Sequence, residues 1–150
     1  MTEELEPISY QGLGNMIRTL WGGGASYYPL HDKPVESVTI ENDGEYLVFK
    51  LVDGRTLTYK AVGDCCSTSW VEHITVPPDL SGSVFDSVAE QEMGEKTEDW
   101  ETIRVYQTSF RCPKGEVIIE YRNSSNGYYG GWLEGPLETW ARDELNRRVE

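Results

Sequence analysis

Positive charge is scarce in this sequence: 13 Lys and Arg stand against 26 Asp and Glu, a formal net charge of −13 over 150 residues. Proteins that grip nucleic acid neutralise its phosphates with a basic patch, so direct nucleic-acid binding is excluded. Long apolar runs are lacking too. No run reaches the roughly 18 apolar residues that span a bilayer, and no membrane partner is expected. The acidic start Met1-Thr2-Glu3-Glu4-Leu5-Glu6 lacks the basic and apolar regions of a signal peptide. Cysteine appears three times, at Cys65, Cys66 and Cys112, too few and too unevenly spaced for a disulfide framework. A cytoplasmic location follows as the expectation. Phosphate-loop signatures are missing: Gly12-Leu13-Gly14 has no third glycine in register, and Gly22-Gly23-Gly24 lacks the Lys-Ser/Thr pair. No cofactor is expected.

Aromatic residues, by contrast, are plentiful, with 5 Trp and 9 Tyr. A disordered acidic chain lacks them because it cannot bury enough apolar surface to offset chain entropy. One folded domain over residues 1–150 is therefore expected. Leu13, Met16, Ile17, Leu20 and Trp21 recur at helical spacing and predict a short N-terminal helix, stopped by three glycines. Period two takes over at Val35. Asn42-Asp43-Gly44 and Asp53-Gly54 are hairpin turn signals, which makes residues 35–62 a three-stranded meander. Further strands are expected at Val71–Val76, from Ile103 to Phe110, and at Val117–Tyr121. The six acids and one lysine between Glu90 and Glu101 read as a solvated loop. Pro136 opens a segment with Leu137, Trp140, Ala141, Leu145 and Val149 on one face, so a C-terminal amphipathic helix is expected over 136–149. The expected fold class is α+β: a mostly antiparallel meander of about six strands with a short helix near each end.

Two segments are unlike ordinary connections. One is Gly63-Asp64-Cys65-Cys66-Ser67-Thr68-Ser69-Trp70; the other is Arg122-Asn123-Ser124-Ser125-Asn126-Gly127-Tyr128-Tyr129-Gly130-Gly131-Trp132. With the preceding Asp-Gly hairpin, they resemble the signature of a family of small, functionally uncharacterised domains found mainly in bacteriophages and bacteria. The resemblance covers residues 35–132. It implies a phage or bacterial cytosolic origin and no particular chemistry.

The residues themselves offer more. Glycine lets a ligand approach main-chain N–H groups. Serine and asparagine supply donors and acceptors, tyrosine and tryptophan supply flat apolar faces, and Arg122 can pair with a phosphate or carboxylate. Asp64, Ser67, Ser69, Trp70, Arg122, Asn123, Ser124, Asn126, Tyr128 and Tyr129 are the candidate ligand-binding residues. The opposing view is that such residues build self-satisfied turns and fill a small core. Cys65 and Cys66 alternate to opposite faces of an extended chain, which suits a buried structural role for one of them. A nucleophile served by His73 or His31, oriented by Asp64 or Glu72, is chemically feasible but has no supporting spacing. A zinc set of Cys65, Cys66, His73 and Cys112 lacks the usual spacing, and no catalytic or metal residue is assigned.

Three functions compete. The first is a non-enzymatic protein holding an anionic or nucleotide-like small molecule between the two segments, a use for which, in a phage-encoded chain, would be to sequester a host immune signal. The second is an acidic inhibitor of a host protein with a basic surface, able to mimic nucleic acid and steered by long-range charge. The third is a cysteine-dependent enzyme. Exposed strand edges make a homodimer feasible.

Overall fold

The protein's structure, a computed structural model, describes residues 25–63, 67–126 and 130–140. Within them a single turn of 3-10 helix, Tyr28–Leu30, precedes eight strands: β1 (Val35–Glu41), β2 (Tyr46–Leu51), β3 (Arg55–Gly63), β4 (Thr68–Thr75), β5 (Ser87–Glu98), β6 (Glu101–Cys112), β7 (Gly115–Ser125) and β8 (Gly131–Trp140). They form two four-stranded sheets, ordered β1-β2-β3-β8 and β4-β7-β6-β5. Every ladder is antiparallel.

The meander of β1, β2 and β3 is where the turn signals put it. At the first turn Asn42 and Asp43 both adopt φ of 54°, followed by Gly44 at 92°, the left-handed conformations that these residue types tolerate best. The strand interiors alternate. On β6, Thr102, Arg104, Tyr106, Thr108, Phe110 and Cys112 are buried, and on β7 so are Val117, Ile119, Tyr121, Asn123 and Ser125. These inner faces meet an aromatic cluster in which Phe49 of the first sheet lies 5.2 Å from Phe110 of the second, ring centre to ring centre. Tyr27 packs edge-on to Phe110 at 5.1 Å, and its hydroxyl donates to Glu90 at 2.9 Å. Burial first, and the Glu90 carboxylate second, push the Tyr27 phenol well above its usual pKa.

Three expectations are corrected. The class is not α+β: the described residues are nearly all β, with eight strands in two sheets where a meander of about six was expected. The segment opening at Pro136 is not helical through Trp140. It belongs to β8, whose Leu137, Glu138, Thr139 and Trp140 pair with Thr58, Leu57, Thr56 and Arg55. Tertiary pairing overrides local helix preference here, and an edge strand tolerates proline because a missing N–H on the outer side costs nothing. Arg55 fastens this end, bonding Asp53 and Glu138 and lying 5.4 Å from the Trp140 ring. Third, the acidic run forms most of edge strand β5. Its glutamates sit on both faces of an edge, where each reaches water, and such charges also guard an edge against further pairing. The expected N-terminal helix and residues 141–149 lie outside the described residues.

Candidate functional site

The two unusual segments are the places where the chain changes sheets. β3 ends in the first sheet at Gly63 and β4 begins in the second at Thr68; the return runs from Ser125 on β7 to Gly131 on β8. Because Gly63 pairs with Gly131 and Thr68 with Ser124, the strand ends that flank the two crossings lie side by side.

Strand alternation then divides the candidate residues. Asn123 faces inward and is completely buried. Its Nδ2 donates to Ser67 Oγ at 3.1 Å and to Ser69 Oγ at 3.0 Å, so one amide ties the outgoing crossing to the returning strand. Glycine is required on both flanks. A Cβ on Gly63 would stand 2.5 Å from Ser67 Oγ, and one on Gly131 would stand 2.0 Å from Ser69 Oγ. Gly131 also donates its N–H to the Tyr106 hydroxyl at 3.1 Å, while Tyr106 stacks on Tyr121 with ring centres 4.8 Å apart. The glycine, serine and asparagine of the two segments thus close on one another.

Trp70, Arg122 and Ser124 alternate to the outer face of the second sheet. Trp70 and Arg122 are direct cross-strand partners. The Trp70 indole donates to Glu72. Arg122 donates through Nε, at 3.0 Å, and through a terminal nitrogen to Glu120, and Ser124 Oγ donates to Glu101 at 2.6 Å. Asn126 is exposed. Asp64, Tyr128 and Tyr129 lie outside the described residues, as do Cys65 and Cys66. Cys112 is a free, buried thiol at the far end of β6, in keeping with its behaviour as a small apolar side chain.

Two hollows adjoin the crossings. One, of about 560 Å³, is walled by Ser67, Thr68, Trp70, Asp43, Lys60 and Glu134, among others. The second, of about 410 Å³, lies on the outer face by the β5–β6 turn and is lined by Lys96, Glu98, Asp99, Trp100, Glu101, Ile103 and Arg122. Both cations in it already face carboxylates: Arg122 the Glu120 side chain, and Lys96 that of Glu98 at 3.9 Å.

Two residues outside the ten candidates stand out. Arg104 is a buried arginine, 7% exposed, paired with Glu95 at 3.1 Å beneath Gly130. Sequence alternation puts Ile103 and Val105 on the apolar face and Arg104 on the other; its burial follows instead from the inward register of β6 at Thr102, Tyr106 and Thr108. Trp100, at the tip of the β5–β6 hairpin, is 94% exposed; its only sequence signal was an aromatic residue set among acids.

The described residues thus form an antiparallel two-sheet β protein. Residues 30–133 match the family described as a domain of unknown function, DUF7448, and the chain belongs to that family. No curated protein and no solved structure matches it. Among the described residues, no helix is long and apolar enough to cross a membrane.

Proposed function

We propose that the chain is a non-catalytic binding protein whose β5–β6 hairpin docks on the basic surface of a protein partner. The observation that carries this reading is Trp100, 94% exposed and flanked in sequence by Glu98, Asp99 and Glu101. The turn has only two residues, because Glu98 and Glu101 still pair across the ladder and Asp99 takes a φ of 55°. So tight a turn projects the indole away from the sheet. Tryptophan leads the residue types that anchor interfaces, and a rim of carboxylates selects a basic counterpart and speeds encounter. The net charge of −13 adds long-range steering of the same sign. In a phage-encoded chain the partner would be a host cytoplasmic protein, and binding would inhibit it.

Anisotropy titration with a fluorescein-labelled nona-arginine peptide tests the reading, since a guanidinium over an indole face is the contact it calls for. Trp100→Ala should weaken binding about tenfold, on the scale of a desolvated cation–π contact. Equal binding by the parent protein and the variant overturns the anchor.

The larger hollow favours a second reading, in which a small nucleotide-like molecule lies beside Ser67, Thr68 and Trp70. Its volume of about 560 Å³ is within the usual range for ligand sites. Asp43 and Glu134 on its walls weigh against a highly charged anion. A thermal-shift panel of nucleotides, cyclic dinucleotides and ADP-ribose derivatives that moves no melting curve removes this reading.

A further inference from the structure

We infer that the free edge of β5 receives an extended basic segment of the partner as an added strand, with one apolar side chain of that segment filling an aromatic pocket at the strand's start. This deepens the docking reading and rests on its premise of a basic partner. Three observations converge on it. β5 is the last strand of its sheet, and among the described residues no strand lies along its outer side. Alternate peptide groups of such an edge point away from the sheet and can accept another chain. The bulge between Glu92 and Gly94 limits the regular stretch to Ser87–Glu92, about 20 Å of strand.

Charge sets the chemistry of the occupant. From Asp86 to Glu95 there is no cation, whereas Asp86, Glu90 and Glu92 are all acidic. Val88, Glu90 and Glu92 share the inner face, because their ladder partners Phe110, Thr108 and Tyr106 are the inward residues of β6. Side chains opposite one another on neighbouring strands come within about 5 Å. An added strand therefore sets two cationic side chains, spaced two apart, beside Glu90 and Glu92.

The pocket sets the third position. Tyr28, Leu30, His31, Phe85, Val88 and Phe110 are among the residues enclosing about 220 Å³ at the start of β5. Its floor is buried, but its rim is open: Tyr28 is 80% exposed and stacks on His31, and Val88 is 39% exposed. A residue opposite Val88 would point here. Main-chain bonds along an edge supply affinity and pockets for alternate side chains supply selectivity in strand addition. The preferred segment thus reads apolar-x-basic-x-basic, in one chain direction or the other.

The test uses fluorescein-labelled heptapeptides that alternate threonine with Leu, Lys and Lys, made in both orders, on the full chain. One order should bind. N-methylation of that peptide's alternate amides on the side facing β5 should weaken it at least tenfold, as should replacing its leucine by glutamate. Val88→Lys and Tyr28→Ala in the protein should reduce binding of the same peptide, and the amides of residues 87–92 should gain hydrogen-exchange protection. N-methylated and unmethylated peptides that bind alike overturn the edge addition even if Val88→Lys fails to fold. Binding that ignores N-methylation but falls in Trp100→Ala leaves hairpin docking standing and removes the added strand. Heptapeptide binding that falls with N-methylation keeps the added strand whatever Trp100→Ala does, and loss of the Trp100 effect in the nona-arginine titration removes the tip as anchor.

Discussion

Replacing Gly131 by alanine places a new carbon where Ser69 now sits. The added Cβ would stand 2.0 Å from Ser69 Oγ and 3.0 Å from Asn123 Cβ, and neither neighbour is the end of a long side chain that can swing aside. Overpacking of this kind costs about 1–3 kcal/mol. Ser69→Ala alone loses the bond from Asn123 Nδ2, about 1 kcal/mol. Combining them removes the atom that causes the clash, so the pair should be less destabilised than the sum of its singles by about 1 kcal/mol, the size of coupling expected for touching residues. Urea titration at fixed temperature reads it. With an m-value of roughly 2 kcal/mol/M, a loss of 2 kcal/mol lowers the midpoint by about 1 M, and m itself should stay constant. Two results refute the reasoning: Gly131→Ala within 0.5 kcal/mol of the parent, or strict additivity in the double variant, each taken against the coupling scale above.

Other perturbations separate core from surface. Phe110 is wholly buried, with Phe49, Phe85 and Tyr27 rings at 5.2, 5.1 and 5.1 Å. Phe110→Ala should cost about 3–5 kcal/mol in urea unfolding. Trp100→Ala should leave the urea midpoint unchanged, since exposed substitutions stay within about 0.5 kcal/mol. At Asp53, burial alone would raise the carboxyl pKa, but hydrogen bonds and charge from Arg55 hold it below the ordinary value. A depressed carboxyl stabilises the fold above its unfolded pKa and loses that contribution as pH falls through the folded one. The stability gap between the parent and Asp53→Asn should therefore be largest near neutral pH and shrink as pH falls through and below the ordinary carboxylate range, within the roughly 0.2–1 kcal/mol of an exposed pair. A gap that widens on acidification contradicts the assignment.

The three-stranded meander was legible because its turn residues carry their own conformational reason: Asn42, Asp43 and Gly44 tolerate the positive φ they adopt. β7 was legible from Val117 to Tyr121 as a β-branched run, yet its last four residues were not, because Arg122-Asn123-Ser124-Ser125 has the composition of a loop. What makes it a strand is a partner on each side, β4 and β6, and pairing with β4 across more than fifty residues leaves no local trace. The same holds for β8, whose helical spacing at Leu137 and Trp140 is overruled by its ladder to β3. Among the candidate site residues, Ser67, Ser69 and Asn123 do come together, as loop chemistry suggested. Their partners are each other, and only the inward register of Asn123 reveals that. Arg122 was read as an available cation because Glu120, two residues earlier on the same strand face, reads from sequence as simply another acid.

Both crossings rely on the same amide, and this has a consequence for how the sheets stand or fall. Gly63 lies close to Ser67 and Asn123, and Gly131 close to Ser69 and Asn123, so the strand ends on both sides of the crossings pack against the Asn123 side chain. The first sheet owes β8 to the return crossing, and the second owes β4 to the outgoing one. Asn123→Ala should therefore loosen both sheets together, since it removes the hydrogen bonds to Ser67 and Ser69, at a cost of about 2–3 kcal/mol. Native-state hydrogen exchange reads the outcome site by site. The amides of Leu47, Phe49 and Leu57 in the first sheet should lose protection by the same amount as those of Tyr106 and Ile119 in the second. Loss confined to the second sheet, where Asn123 itself resides, would mean that the crossings join two independently stable halves, and the glycine, serine and asparagine beside them would then have to be explained by something other than folding.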